Sequence, residues 1–454
     1  MGIISPKYWA KHSYNLALGS GNRTKNLILG SGMMTVSNVI NIVTRFGLIA
    51  LLTRMYTKDE FGLWISITSI TSVMVNSDFG VASALRNKLV ECRVKENGDD
   101  DAKRYFFSVI YFFLVFTLII SILLLSFRHY IPYDHLFKTN DLVLKTEGRN
   151  ILIWVPILLL INIPFGIGPA MLFAYQEIKV ATLLNIIIGV LGLLTIGIAA
   201  FLHQSITVTT ILYFLVNLLC TLGGTFYFVY RRKWFDIYIN LKSALPKVWE
   251  LVTQGILFFI IQTSAAFLFN APTLVSTSQI GLSAASELSL AQRLYLLVVS
   301  MYAGVHNPLW AGFADAINRY DWQWCKTTLL RVLYVTVPLF ALATLVFTFL
   351  GNFFLTIIAG KGYVSSKWLF LVMGIWTLFY LLYGLFLTFL SATGKIKLTA
   401  FSSALSAFII FPTASFFAHK YGNTGIICVS AIVFFLLTLA AYLQAFYLIN
   451  RQKI

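Results

Sequence analysis

Apolar residues run along this chain in stretches close to twenty residues long, separated by short polar segments, from Asn26 to the C-terminus. A bilayer core is crossed by about 20 consecutive apolar residues in a helix. The runs lack the period-two alternation of a membrane barrel, and lipid leaves only helices and closed barrels as spanning structures. The pattern therefore predicts an all-α polytopic membrane protein with about twelve transmembrane helices. The first six lie at roughly 28–53, 60–83, 105–127, 150–174, 180–202 and 206–230. The second six lie at roughly 249–275, 283–310, 327–350, 366–390, 397–418 and 424–449.

Composition agrees with the pattern. The chain has 454 residues, of which 58% are hydrophobic and 11% charged, with a mean hydropathy of +0.81; an ordinary soluble domain carries about 25% charged residues. The net charge of +17 would suggest nucleic acid in a soluble protein, but membrane proteins collect Lys and Arg in cytoplasmic loops. Most of the cations fall on one side, at 86–104, 231–247, 319–331 and both chain ends, which predicts that both termini are cytoplasmic. No cleavable leader is evident, and residues 1–26 read as a cytoplasmic arm or interfacial helix. The break near 231–248 divides the chain into a six-helix bundle at 27–230, a cytoplasmic linker at 231–248 and a second bundle at 249–454, facing each other across a central cavity.

Two cations resist the topological account. Arg45 and Arg293 lie inside spans, where a charge costs about 2.5–3.5 kcal/mol on insertion scales. Asn38, Asn41 and Arg45 are spaced three and four apart and share one helical face. The eighth span carries Ser286, Ser289, Arg293, Ser300, Gly304 and Asn307; the second is rich in Ser and Thr and ends near Asp78; the seventh holds Gln262 and Ser264. Spans one, two, seven and eight are thus expected to line the cavity, and the third, fifth, ninth and twelfth to face lipid or pack. Arginine binds phosphate through a planar fork and stays charged, so Arg45 and Arg293 suit a diphosphate. Asn38, Asn41, Gln262, Ser300 and Asn307 suit sugar hydroxyls, and Asp78 or Glu287 a coupling ion. The structural alternative is that Arg45 pairs with Asp78 or Glu287 as glue between helices, and that the Ser and Thr only satisfy packing.

Enzyme signatures are missing. There is no Walker lysine loop, no HExxH and no nucleophile elbow, and the longest loops are near twenty residues. The four cysteines are far apart and form neither a metal nor a redox spacing. Neither metal nor cofactor is expected, and without an ATPase signature any pumping would use an ion gradient, the membrane potential or mass action. The fourth span holds Pro156, Pro164 and Pro169, a site of bending.

The segment "EFGLWISITSITSVMVNSDFGVASALRNKLVE", Glu60 to Glu91, resembles the second-helix region of Wzx-type O-antigen flippases. These form the polysaccharide transporter branch of the multidrug/oligosaccharidyl-lipid/polysaccharide exporter superfamily. "NPLWAGFADAINRYDWQW", Asn307 to Trp324, is similar to that family's segment after the eighth helix. The resemblance implies two six-helix bundles in the bacterial inner membrane. It also implies alternating-access transfer of an undecaprenyl-diphosphate-linked oligosaccharide, coupled to protons or sodium ions, with the polymerase and chain-length regulator of the same pathway as partners. Two rival expectations are a small-molecule or multidrug exporter of the same superfamily and a membrane enzyme acting on lipid-linked sugars.

Overall fold

The computed structural model describes residues 40–74, 78–92, 98–131, 133–175, 177–235, 241–306, 309–360 and 362–451. Among them the elements are helical. The first helix is seen over residues 40–55 (α1), followed by α2 (Lys58–Met74), α3 (Val81–Cys92), α4 (Gly98–Ser126), α5 (Tyr133–Leu136), α6 (Leu142–Ala174), α7 (Ile178–Phe201) and α8 (Ile206–Arg231). The second half comprises α9 (Leu241–Val275), α10 (Leu282–His306), α11 (Leu309–Asn318), α12 (Trp322–Ala359), α13 (Lys367–Ala392) and α14 (Lys397–Arg451). Among the described residues eight helices, α4, α6–α9 and α12–α14, are long and apolar enough to cross a membrane. In α14, Gly422 at φ 57° breaks the helical path, so two spans share that stretch.

Short polar residues begin the helices where the sequence places them. Asp141 accepts the amides of Val143 and Leu144 at 2.8 and 3.4 Å, Asp321 that of Trp324 at 2.9 Å, and Ser366 that of Leu369 at 3.2 Å. Thr57 and Glu60 form a reciprocal capping box at the start of α2: the Thr57 amide donates to Glu60 Oε2 at 2.7 Å and the Glu60 amide to Thr57 Oγ1 at 3.3 Å.

The second expected span differs from its reading. The helix is described as far as Met74, and a turn at Asp78–Gly80 leads into α3. Asp78 caps α3, its carboxylate accepting the amides of Gly80 and Ala82 at 3.0 and 3.1 Å. Phe79 and Gly80 take positive φ, 54° and 72°. Asp78→Ala is expected to cost about 1 kcal/mol of stability while Asp78→Asn, which keeps a capping oxygen, costs little; thermal melts of the two variants check this.

Helices of the first half pack on one another through α6 with α8, α7 with α8 and α4 with α6, and those of the second half through α13 with α14, α12 with α13 and α9 with α14. The halves meet along α2–α10 and along α3 and α4 against α9. Close backbone approach in a membrane depends on small residues. A Cβ on Gly62 would lie 2.1 Å from the Leu282 carbonyl oxygen, and one on Gly80 2.6 Å from that of Gly255.

Charged pairs flank this seam at both ends. Lys58 of α2 meets Glu287 of α10 at 3.1 Å. At the basic end Lys88 of α3 meets Glu250 of α9 at 2.9 Å, and Tyr105 donates to the same carboxylate at 2.6 Å. The Glu250 carboxylate holds the Lys88 ammonium above its usual range. In both pairs the lysine comes from the first half and the glutamate from the second. Glu250→Gln is expected to shift closure at the basic end by about 1 kcal/mol, roughly fivefold in population. Faster hydrogen exchange in α3 would register it.

Candidate functional site

The interior site is built on α1, α2, α7, α8 and α10. Arg45 opens onto a cavity of about 370 Å³ that is also lined by Asn41, Thr44, Asn185, Tyr213 and Asn217. Thr44 returns its hydroxyl to the Asn41 carbonyl at 3.1 Å. Gly189 leaves room beside them, since a Cβ there would stand 3.2 Å from Asn41 Oδ1 and 3.3 Å from Thr44 Oγ1.

Arg293 enters from α10, in the other half of the molecule. It feels the charge of Arg45 and lies near Tyr213, which interacts electrostatically with both arginines. The Arg293 guanidinium lies 6.0 Å from the ring centre of Trp64, and Trp64 packs edge-on against Tyr213 at 6.4 Å. Two buried donors here, Arg293 Nε and Trp64 Nε1, have no hydrogen-bond partner among the described residues. Nor does any described carboxylate pair with Arg45 or Arg293. A buried donor without an acceptor is costly, and two like charges brought together in a low-dielectric interior repel. The arrangement lacks acceptors and negative charge, and a polyanionic ligand with several oxygens supplies both.

The carboxylates that sequence reasoning offered as partners are engaged elsewhere: Glu287 with Lys58, and Asp78 with the α3 amides. Asp78 lines a second cavity, about 200 Å³, with Leu159, Asn162 and Gly166. An amide bridge joins the two cavities, for Asn162 Nδ2 donates to Asn217 Oδ1 at 3.2 Å. Thr221 also donates to Asn162 Oδ1. Gln262 is exposed on α9 and lines neither cavity. Ser300 is exposed and donates to the Leu297 carbonyl at 2.7 Å, within its own helix. Asn38 and Asn307 lie outside the described residues.

Sequence reasoning missed Trp64, Asn162, Asn185, Tyr213 and Asn217. It gave spans one, two, seven and eight to the cavity and assigned the fifth to lipid or packing. Asn185 of that fifth span, on α7, lines the Arg45 cavity instead. A usable signal was present: Asn162, Asn185 and Asn217 are each a single carboxamide in an otherwise apolar run, as in "LLINIP", "TLLNII" and "FLVNLL".

No family model matches the chain. It is 22% identical over 441 residues to a protein of Salmonella typhimurium (strain LT2) described as "Putative O-antigen transporter", covering 94% of this chain and 97% of that one. An inward-facing MATE-family multidrug resistance transporter of the MOP superfamily superposes with a TM-score of 0.74 at 12% identity, covering 91% of this chain and 95% of its own. The lipid II flippase MurJ in an inward closed conformation superposes with a TM-score of 0.71 at 16% identity, covering 92% and 87%. These relatives are transporters and flippases, not enzymes. The chain is a multi-pass membrane protein with the fold of the MOP-superfamily transporters, and its likeness to a putative O-antigen transporter extends over nearly its whole length.

Proposed function

We propose that the protein is an alternating-access flippase that moves an undecaprenyl-diphosphate-linked oligosaccharide across the bacterial inner membrane. The observation that carries this reading is the pair of guanidinium groups, one from each half, without a carboxylate among the described residues. Arg45 and Arg293 take the diphosphate, and the carboxamides of Asn41, Asn185 and Asn217 accept and donate to sugar hydroxyls. The names of two relatives, an O-antigen transporter and a lipid II flippase, favour a lipid-linked glycan. The bundles at 27–230 and 249–454 rock against each other. The basic end faces the cytoplasm with both termini, and the polymerase and chain-length regulator receive the product outside. A proton or sodium ion couples through Asp78, whose cavity wall is hydrogen-bonded to that of the Arg45 cavity through Asn162 and Asn217.

The similarity to a multidrug transporter keeps a second reading in view, export of small molecules. An interior lined by uncompensated arginine disfavours cationic drugs. Reconstitution in proteoliposomes separates the two. The flippase reading expects transfer of a polyprenyl-diphosphate oligosaccharide to the outer leaflet and no drug flux. Drug flux without lipid transfer would overturn it. Asp78→Asn is expected to keep the fold but remove the dependence of transfer on an imposed ion gradient, and an unchanged gradient response would remove Asp78 from the coupling role.

A further inference from the structure

At the basic end, the seam between the halves opens into an apolar crevice of about 580 Å³, lined by Phe79, Phe112, Phe116, Leu245, Trp249 and Val252. One wall is α4 of the first half and the other is the first turns of α9 of the second. Trp249 is 69% exposed and Leu245 45%, so large apolar surface faces outward between two helices that meet the bilayer. Phe79 stands at the inner wall, 5.7 Å from the Phe116 ring and 5.2 Å from the Phe259 ring. It holds a positive φ of 54°, a conformation that bulky residues rarely keep without cause. Beside it, the Gly80 and Gly255 backbones touch.

Lys247 falls in the chain between Pro246 and Val248, two further residues of the crevice lining. Lys88 and Lys247 each lie 5.3 Å from the Tyr105 ring centre. Lys88 is held by Glu250, whereas Lys247 has no carboxylate partner among the described residues.

We infer that this crevice is the seat of the hydrocarbon tail of a polyisoprenyl phosphate lipid, with Lys247 at its phosphate. The inference rests on the proposed function and deepens it. A transported amphiphile passes its head between the halves while its tail stays in lipid, and a crevice on the seam serves both needs. A wide, aromatic-walled crevice suits a methyl-branched chain better than a straight acyl chain, which packs in a narrow groove. An ammonium beside the lining, with no carboxylate partner among the described residues, complements an anionic head. Phe79 then acts as the plug between the tail's berth and the interior, which gives the D-F-G turn a role for each residue: Asp78 caps α3, Phe79 closes the crevice and Gly80 permits contact with α9.

The test is photocrosslinking of the full-length protein in nanodiscs of phosphatidylethanolamine and phosphatidylglycerol. Three diazirine probes are compared: a polyisoprenyl phosphate, the matching neutral polyisoprenol and a phosphatidylglycerol. Mass spectrometry is expected to place the isoprenyl phosphate on peptides containing Leu245–Val252 and Phe112–Phe116. Excess unlabelled polyisoprenyl phosphate should compete. Trp249→Ala, a change at an exposed position, and Lys247→Glu should each lower that labelling about tenfold. Equal labelling by all three probes, or labelling unmoved by both variants, would mean ordinary lipid contact and overturn the proposal. If the isoprenyl phosphate labels other sites while lipid transfer persists, only the crevice assignment falls. If it labels the protein nowhere and transfer is absent, the flippase reading falls with it.

Discussion

Arg45→Ala and Arg293→Ala are each expected to abolish transfer of lipid-linked oligosaccharide while leaving the protein folded in the membrane. A hydrogen bond to a charged group contributes about 1.5–3 kcal/mol, a factor of roughly 10 to 150 in affinity. Both guanidiniums act on one ligand, so loss of either empties the site at working concentrations. Arg45→Lys keeps the charge but loses the planar fork, and partial activity is expected. Stability should move the other way. Arg293 has a buried Nε without a partner among the described residues and sits near a like charge. Removing an uncompensated buried cation relieves desolvation and repulsion, so Arg293→Met should melt at or above the wild-type temperature. A residue serving only as glue between helices would behave oppositely, losing stability and transport together. Surface-glycan display, membrane abundance and thermal melts, measured side by side, separate the two behaviours.

Gly62→Val and Gly80→Val should trap opposite ends of the molecule open. A Cβ on Gly62 would lie 2.1 Å from the Leu282 carbonyl oxygen, a separation that only movement of α2 away from α10 relieves. That movement also parts Lys58 from Glu287 and Ser66 from Thr277, which now meet at 3.1 and 2.6 Å. At the basic end, Gly80 meets the Gly255 backbone and holds φ at 72°. There a β-branched residue adds strain of about 1–3 kcal/mol to the clash. Spin labels at Asp59 and Ser283 should report a longer distance in Gly62→Val, and labels at Arg86 and Ser243 a longer distance in Gly80→Val. Both variants should stall transfer, because alternating access needs each end to close in turn. Unchanged distances in both variants would show that the seam yields locally and that these glycines do not control closure.

Much of the architecture was legible in the sequence. The runs giving α4, α6, α7, α8 and α13 are long, apolar and nearly free of charge, and lipid permits them no state except helix. The hydrophobic pattern alone did not read the caps: Asp141, Ser205, Asp321 and Ser366 begin α6, α8, α12 and α13 for a local reason, since each offers a side-chain oxygen to amides of the first turn. The turn at Asp78–Gly80 was lost inside an apolar reading because its cause is tertiary: the chain turns there so that Gly80 can meet Gly255, 175 positions later. Arg45 stood out from its depth alone. Its neighbourhood did not, because Tyr213, Asn185 and Trp64 come from three other helices and only packing brings them together. Helical periodicity reports which face a residue occupies and is silent on which helix that face will meet. For the same reason the sequence could offer Glu287 as a partner for Arg45, whereas Glu287 is held by Lys58.

The central claim is that guanidinium groups from both halves hold one diphosphate. It is tested most directly by calorimetric binding of a short-chain polyprenyl diphosphate to the wild-type protein, Arg45→Ala, Arg293→Ala and the double variant in nanodiscs. Each single variant is expected to weaken binding at least about tenfold, and the double variant to fall short of the product of the two losses, since groups acting on one ligand are coupled. Binding within about twofold of wild type in both single variants would contradict the account.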